Sequence, residues 1–367
     1  MINFIDLKTQ YELHKVHIED RIRRVIEHGQ FIMGPEIYEL ENLLSNYVGV
    51  KHCITVGSGT HSLEIALRSL GIGLGDEVIT VPFSWISSAE VIPLVGARPV
   101  FVDIQKDSYN LDPLKLENAI TKNTKAIIAV SLYGQISNIE EINKIAKIYN
   151  LPVIEDGAQS FGATRNGKRS CGVSLIGSTS FFPAKPLGCY GDGGALFTDD
   201  DEIANTMRAI RTHGGLVRHN HTHLGTNGRL DTIQAAIILA KLPFFQEEIN
   251  LRIKIGAHYS NMLSKYCTIP EITNGNTHVY AQYTIKVEEK KRGQIQNNLN
   301  FLNIPTGVYY PKCFHEQPVF NYLGYKYGDF PVSEKASRQV LSLPMHPYLK
   351  EQEQNFIIDS LIKEILK

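Results

Sequence analysis

Lys185 is the residue whose surroundings most invite a chemical reading. The run Ser180-Phe181-Phe182 leads towards it, and Pro186, Gly188, Gly191, Gly193 and Gly194 separate it from a second apolar run, Ala195-Leu196-Phe197. Two such runs read as strands, which puts the lysine in the glycine-rich link between their ends. An ammonium held among aromatic rings and glycines is desolvated. Its pKa falls, and the neutral amine can then attack a carbonyl to form a Schiff base. The plain alternative is a solvated lysine, the usual state of this side chain.

A second stretch tips the balance. Pro152-Val153-Ile154-Glu155-Asp156 reads as a buried parallel strand ending in carboxylates, followed by the small residues Gly157 and Ala158 and then Gln159. Ligands of open α/β sheets sit beyond such strand ends. A lysine for an aldehyde and an acid to keep a ring nitrogen protonated are together what pyridoxal phosphate (PLP) asks of a protein. A third stretch, Cys53 to Leu70, reads as a strand, a turn with Gly57 and Gly59, and an amphipathic helix opening at Thr60-His61. Free N–H groups and the dipole at a helix start make an anion seat. A dinucleotide fingerprint competes, but Ser62 stands where its last glycine belongs; a tight turn with no ligand is a third reading. Trp85, the one tryptophan, follows the strand Asp76–Pro82. It is either core or a face for a ring to stack on.

The elements that must position these residues alternate. Strands are expected at Pro99–Asp103, Lys125–Ser131 and Leu151–Ile154. Helices lie between them, one opening at Asp112-Pro113 and one at a Ser137-x-x-Glu140 capping box. That rhythm predicts an α/β chain with a mostly parallel sheet covered on both faces. Leu13, Val16, Ile22, Val25 and Ile26 predict an N-terminal helix broken at Gly34-Pro35. A long helix from Pro243 to about Leu263 is expected to link two domains. Beyond it, Val279, Ala281, Tyr283, Ile285 and Val287 alternate as a half-buried strand, and helices are expected near 289–302, 332–341 and 350–366. The division expected is a large domain, 1–245, and a small C-terminal α+β domain, 246–367.

Composition excludes several classes. The 367 residues are 43% hydrophobic and 20% charged, with a net charge of −1 that gives no footprint for nucleic acid or an anionic membrane. No apolar run is long enough for a membrane span, and the N-terminus lacks a signal-peptide layout. Five scattered cysteines, none spaced Cys-x-x-Cys, predict reduced thiols in a cytoplasmic protein and neither disulfide nor zinc. His219, His221 and His223 would share one side of a strand and so raise a metal site. With no cysteine or carboxylate beside them, a solvated loop is the better reading, and no metal is expected.

The pair Glu155-Asp156-Gly157-Ala158-Gln159 and Ser180-Phe181-Phe182-Pro183-Ala184-Lys185-Pro186-Leu187-Gly188 resembles the nucleotide-sugar aminotransferases of the DegT/StrS type, and the likeness runs from Phe4 to Leu349. It implies the PLP-dependent transferase type I fold, with a large domain built on a mostly parallel mixed sheet and a small α+β domain. It also implies a homodimer with shared active sites. In the roles it carries over, Lys185 holds PLP, Asp156 faces the ring nitrogen and Gln159 the ring hydroxyl. Trp85 stacks on the ring, Thr60, His61 and Ser180 take the phosphate, and Asn227 reaches the phosphate of the neighbouring subunit. Arg229, Tyr309, His315 and Phe31 are its substrate-side residues, with Tyr310 equally readable as packing. Ser131-Leu132-Tyr133-Gly134-Gln135 departs from the His-Leu-Tyr-Gly common in the wider family but matches the enzymes that aminate C3 of UDP-2-acetamido-2-deoxy-3-oxo-D-glucuronic acid. His219 stands where those enzymes have Tyr.

The activity implied is transfer of the amino group of L-glutamate, leaving 2-oxoglutarate, to that keto-sugar, for O-antigen or another surface polysaccharide. The alternatives are a dTDP- or UDP-linked 3-keto or 4-keto 6-deoxysugar, and a non-catalytic regulatory protein of the same fold. A sugar 3-dehydratase of this fold would carry His at position 185.

Overall fold

The computed structural model describes residues 2–367. Asp6 caps α1 (Leu7–His28) by accepting from Thr9 N at 2.9 Å. The helix buries Ile18 and Val25 and leaves Leu13, Val16 and Ile26 exposed, so its apolar positions do not all face one core. Then come α2 (Pro35–Val48), β1 (His52–Val56), α3 (Gly59–Ser69), β2 (Glu77–Thr80), α4 (Ser87–Leu94), β3 (Arg98–Phe101), α5 (Pro113–Leu116), β4 (Thr124–Val130) and α6 (Ile139–Ile148). The expected capping box does not form. Asn138 precedes α6, and the Ser137 hydroxyl is buried without a partner while its N–H donates to Ser131 Oγ.

β5 (Val153–Asp156), the short pair β6 (Thr164–Arg165) and β7 (Lys168–Arg169), β8 (Ile176–Ser180) and β9 (Gly194–Thr198) follow. The main sheet has the order β1-β9-β8-β5-β4-β2-β3. β8, β5, β4, β2 and β3 run parallel, and β9 is antiparallel to both of its neighbours. Alternation along β4 shows why both faces are apolar. Ile127 and Ala129 join one core with α2 and α6, while Ala126 and Ile128 join the other with α3, α4 and α7 (Asp201–Arg211). Asp200 caps α7 by accepting from Glu202 N and Ile203 N, each at 2.9 Å.

After α8 (Thr232–Lys241) and the long α9 (Phe245–Leu263), a second, two-stranded sheet pairs β10 (Tyr283–Lys286) with β11 (Val340–Leu343). α10 (Glu289–Phe301), α11 (Pro331–Gln339) and α12 (Glu351–Leu366) complete the chain. Tyr259, Tyr283, Leu341, Ile357 and Leu361 form a core of their own around this sheet. The strand predicted over 279–287 is realised only as β10. Val279 and Ala281 are buried too, but in irregular chain.

Candidate active site

β5 and β8 lie side by side, with Asp156 registered against Ser178. Beyond β8 the chain folds tightly back to β9. Phe181 N donates to Gly193 O at 2.7 Å, Cys189 N to Phe181 O at 2.8 Å and Lys185 N to Phe182 O at 2.9 Å. Gly188 is required here, because a Cβ would lie 2.6 Å from Pro183 O. The turn presents a half-buried Lys185 at the end where Asp156 finishes its strand. Burial pushes the lysine below the usual ammonium range, and the Asp156 carboxylate opposes that shift. Asp156 is itself raised by burial, against the N–H of Ala158 at 3.2 Å and the charge of Lys185.

Glu155 points to the other face of β5 and is also buried. It accepts from Ser131 Oγ and Ser170 Oγ, each at 2.9 Å, and from Cys171 N at 2.6 Å. Burial nevertheless pushes it up to about 7, with the neighbouring Asp156 adding to the rise. The departure at Ser131 thus supplies a hydroxyl to a buried acid one residue before Asp156.

At the start of α3, Ser58 accepts from His61 N at 3.1 Å, and Thr60 and His61 occupy the first turn. Ser180 closes over this turn: a Cβ on Gly59 would sit 2.7 Å from the serine's own Cβ. Thr60 Oγ1 meets Ser87 Oγ at 2.7 Å, which ties the turn to the segment carrying Trp85. His61 Nδ1 and Arg229 Nε are buried without a protein partner. Chain 225–231 lies against the same turn, since Gly57 N donates to Gly228 O at 2.8 Å.

Trp85 is 59% exposed, unusual for a lone tryptophan, and its ring lies 6.3 Å from that of Tyr310. Gln159 is fixed from two sides: Oε1 accepts from Tyr133 N at 2.9 Å and Nε2 donates to Tyr310 Oη at 3.0 Å. The Tyr133 hydroxyl donates to Tyr309 O. Tyr310, Tyr133 and Ser87 therefore belong to the constellation. Tyr133 has a left-handed φ of 60°, a strained conformation of the kind concentrated at functional sites. That signal is conformational and is not written in the sequence.

The expected substrate-side residues part company. Asn227 Oδ1 accepts from Arg229 Nη2 at 2.6 Å, so these two act together beside the glycine turn. Phe31 is exposed, and its carbonyl accepts from Thr232 N at 2.9 Å, beside the bridge of Ile32 with Asp231, the residue just before α8. Tyr309 is half-buried against Phe4, with ring centroids 6.0 Å apart. His315, expected to meet substrate, is placed instead in packing: it is 4% exposed, lies 3.1 Å from Glu334 and rests on Phe330. His219, His221 and His223 sit on an exposed loop, where His221 Nδ1 is 2.8 Å from the His213 carbonyl. Among the described residues no three metal-ligating side chains gather.

These residues fit PLP. A desolvated amine faces a buried acid, a helix start stands beside a buried imidazole nitrogen lacking a partner, and an open indole face lies by the Tyr310 that holds Gln159. The fold, with this lysine and acid at its strand ends, is that of a PLP-dependent aminotransferase. More narrowly, the chain belongs to the DegT/DnrJ/EryC1/StrS aminotransferase family, whose profile matches residues 13–362. It is 51% identical over 350 residues to the UDP-2-acetamido-2-deoxy-3-oxo-D-glucuronate aminotransferase of Pseudomonas aeruginosa, covering 95% of this chain and 96% of that one. A pleiotropic regulatory protein of Geobacillus stearothermophilus is 43% identical, covering 98% and 97%. The crystal structure of S. venezuelae DesV with a ketimine intermediate matches with a TM-score of 0.97 at 34% identity, covering 100% and 99%.

Proposed function

We propose that this chain moves the amino group of L-glutamate to C3 of UDP-2-acetamido-2-deoxy-3-oxo-D-glucuronic acid, a step in building a surface polysaccharide such as O-antigen. The observation that carries the chemistry is the buried Asp156 carboxylate at the strand end faced by the desolvated Lys185. The likeness to the P. aeruginosa enzyme supports the sugar.

Bound PLP supplies an aldehyde that condenses with amines and a protonated ring that takes up the electron pair left when the Cα proton departs. Asp156 holds the proton on the ring nitrogen. The Lys185 amine would hold the cofactor at rest and, once free, would take the donor's Cα proton as a base and return it as an acid. Thr60, His61 and Ser180 seat the phosphate, Trp85 covers the ring, and Gln159, braced by Tyr310, reaches the ring hydroxyl. Arg229 offers a guanidinium suited to a substrate carboxylate, with Tyr309 and Phe31 bordering the sugar. His315 serves packing. Two chains complete each site, Asn227 reaching across. The exposed Leu13, Val16, Leu216 and Val217 are apolar surface for such an interface.

The test is a half-reaction. Aminosugar nucleotides are added singly to the PLP-loaded enzyme, and conversion to pyridoxamine phosphate is followed by absorbance. UDP-2-acetamido-3-amino-glucuronate should convert; a dTDP-linked aminosugar that succeeds where it fails overturns the sugar assignment. The regulatory relative keeps a second reading in view. Purified protein that is colourless and unresponsive to glutamate would favour that reading.

A further inference from the structure

A cleft of about 910 Å³ lies between the segment after β3 and the second sheet, lined by none of the residues placed at the active site. Five lysines border it: Lys106, Lys265, Lys286, Lys291 and Lys335. Glu288 is the one carboxylate on its wall. Lys106 Nζ lies 3.9 Å from Asp107. Among the described residues, the other four ammoniums have no carboxylate within 4.0 Å.

Two of the lysines are held in place. Lys286 Nζ donates to Lys106 O at 2.8 Å and lies 5.2 Å from the centre of the Tyr109 ring, while Lys291 Nζ donates to Ile365 O at 3.2 Å. Each carbonyl takes one of three N–H donors and leaves the charge unneutralised. Burial draws Lys286 below its ordinary value, and Lys106 and Lys335 press in the same direction against Asp107 and Glu271. Like charges gathered in a half-enclosed cleft repel unless something anionic joins them.

We propose that this cleft binds a di- or triphosphate anion, either free or carried by a nucleotide. Separate ammoniums on flexible stems suit an anion with several charged groups better than the planar, two-oxygen carboxylate that arginine matches. The volume far exceeds that of one phosphate. Val287, Ile295, Val332 and Ala336 add an apolar wall that a nucleoside could cover. Because Lys106 follows β3, Lys286 ends β10 and Lys335 lies on α11, the anion joins the edge of the main sheet to the second sheet.

The experiment is calorimetric titration of the PLP-loaded enzyme at low ionic strength, with sodium pyrophosphate in one arm and UDP in the other. Wild type is compared with Lys286→Gln/Lys335→Gln. Pyrophosphate should bind once per chain. The double substitution should weaken it by at least about tenfold, and added salt should weaken it further. Aminotransferase activity without the anion, and the melting temperature, should stay unchanged. Only the binding that the substitution removes belongs to the cleft. If that part is tighter for UDP than for pyrophosphate, the source is a nucleotide; if equal, it is the free polyphosphate. Pyrophosphate that fails to bind, or binds the variant as tightly as wild type, overturns the proposal.

Discussion

In the proposed reaction, Lys185 and Asp156 divide the work between a proton in transit and a proton held. Lys185→Ala should slow the glutamate half-reaction by about 10² to 10⁴, while the cofactor stays bound without its covalent link. Stopped-flow absorbance and dialysis read the two effects separately, and wild-type turnover by the variant would refute the role. Glu155 makes a prediction of opposite character, about stability. Its folded pKa of about 7 lies above the carboxylate value of 4.5. The folded state therefore binds the proton more tightly, and stability present below pH 4.5 is lost as pH rises towards 7. That difference corresponds to about 3 kcal/mol. Thermal unfolding of the apoprotein should show that loss in wild type and a flatter profile in Glu155→Gln; parallel profiles would contradict it. Lysine, acid and tryptophan were legible in the sequence because each sits at a strand exit, which local patterning reveals. Tyr310 was not, because it joins Gln159 across 151 positions. The burial of His315 was not legible either: its partner Glu334 lies nineteen residues on, and nothing local announces the pair.

At the scale of elements, the first residue of β9 meets the start of α3 backbone to backbone. A Cβ on Gly194 would stand 2.6 Å from Ser58 O and 2.8 Å from Gly59 N. Neither atom belongs to a side chain that can swing away. Gly194→Ala should therefore cost about 1–3 kcal/mol and loosen the grip on the cofactor. Urea unfolding and cofactor retention during dialysis measure these together. Gly293 in α10 is the matched control, since a Cβ there meets nothing within 4 Å. Gly293→Ala should gain up to about 1 kcal/mol from helix propensity and leave retention alone. The strands and helices of the sheet were readable because buried parallel strands are continuous apolar runs. The capping box at Ser137 and the length of β10 were not. Ser137 is drawn inward by Ser131, and from His278 to Ala281 every residue is buried, with Val279 N donating to Gly134 O, so the alternation in the sequence does not become a strand there.

The whole molecule brings the two-chain requirement to a test. If Asn227 serves the neighbouring site, Lys185→Ala and Asn227→Asp chains are each inactive alone. Mixed after mild dissociation, half the dimers are hybrids, and each hybrid regains one of its two sites. Activity should return to about a quarter of the wild-type level. Mixtures that stay inactive while sedimentation shows hybrid dimers would place Asn227 in its own chain's site.

One backbone contact carries a broader consequence. The hydrogen bond from Gly57 to Gly228 fastens the glycine turn, where the phosphate is proposed to sit, to the chain leading back from the exposed stretch 216–224. Filling the turn with an anion immobilises one end of that stretch, so cofactor occupancy and resistance to trypsin at Arg218 should rise in step. The vitamin-derived group would then be more than a reagent: its arrival would finish shaping the surface on which the proposed second subunit and sugar would be received.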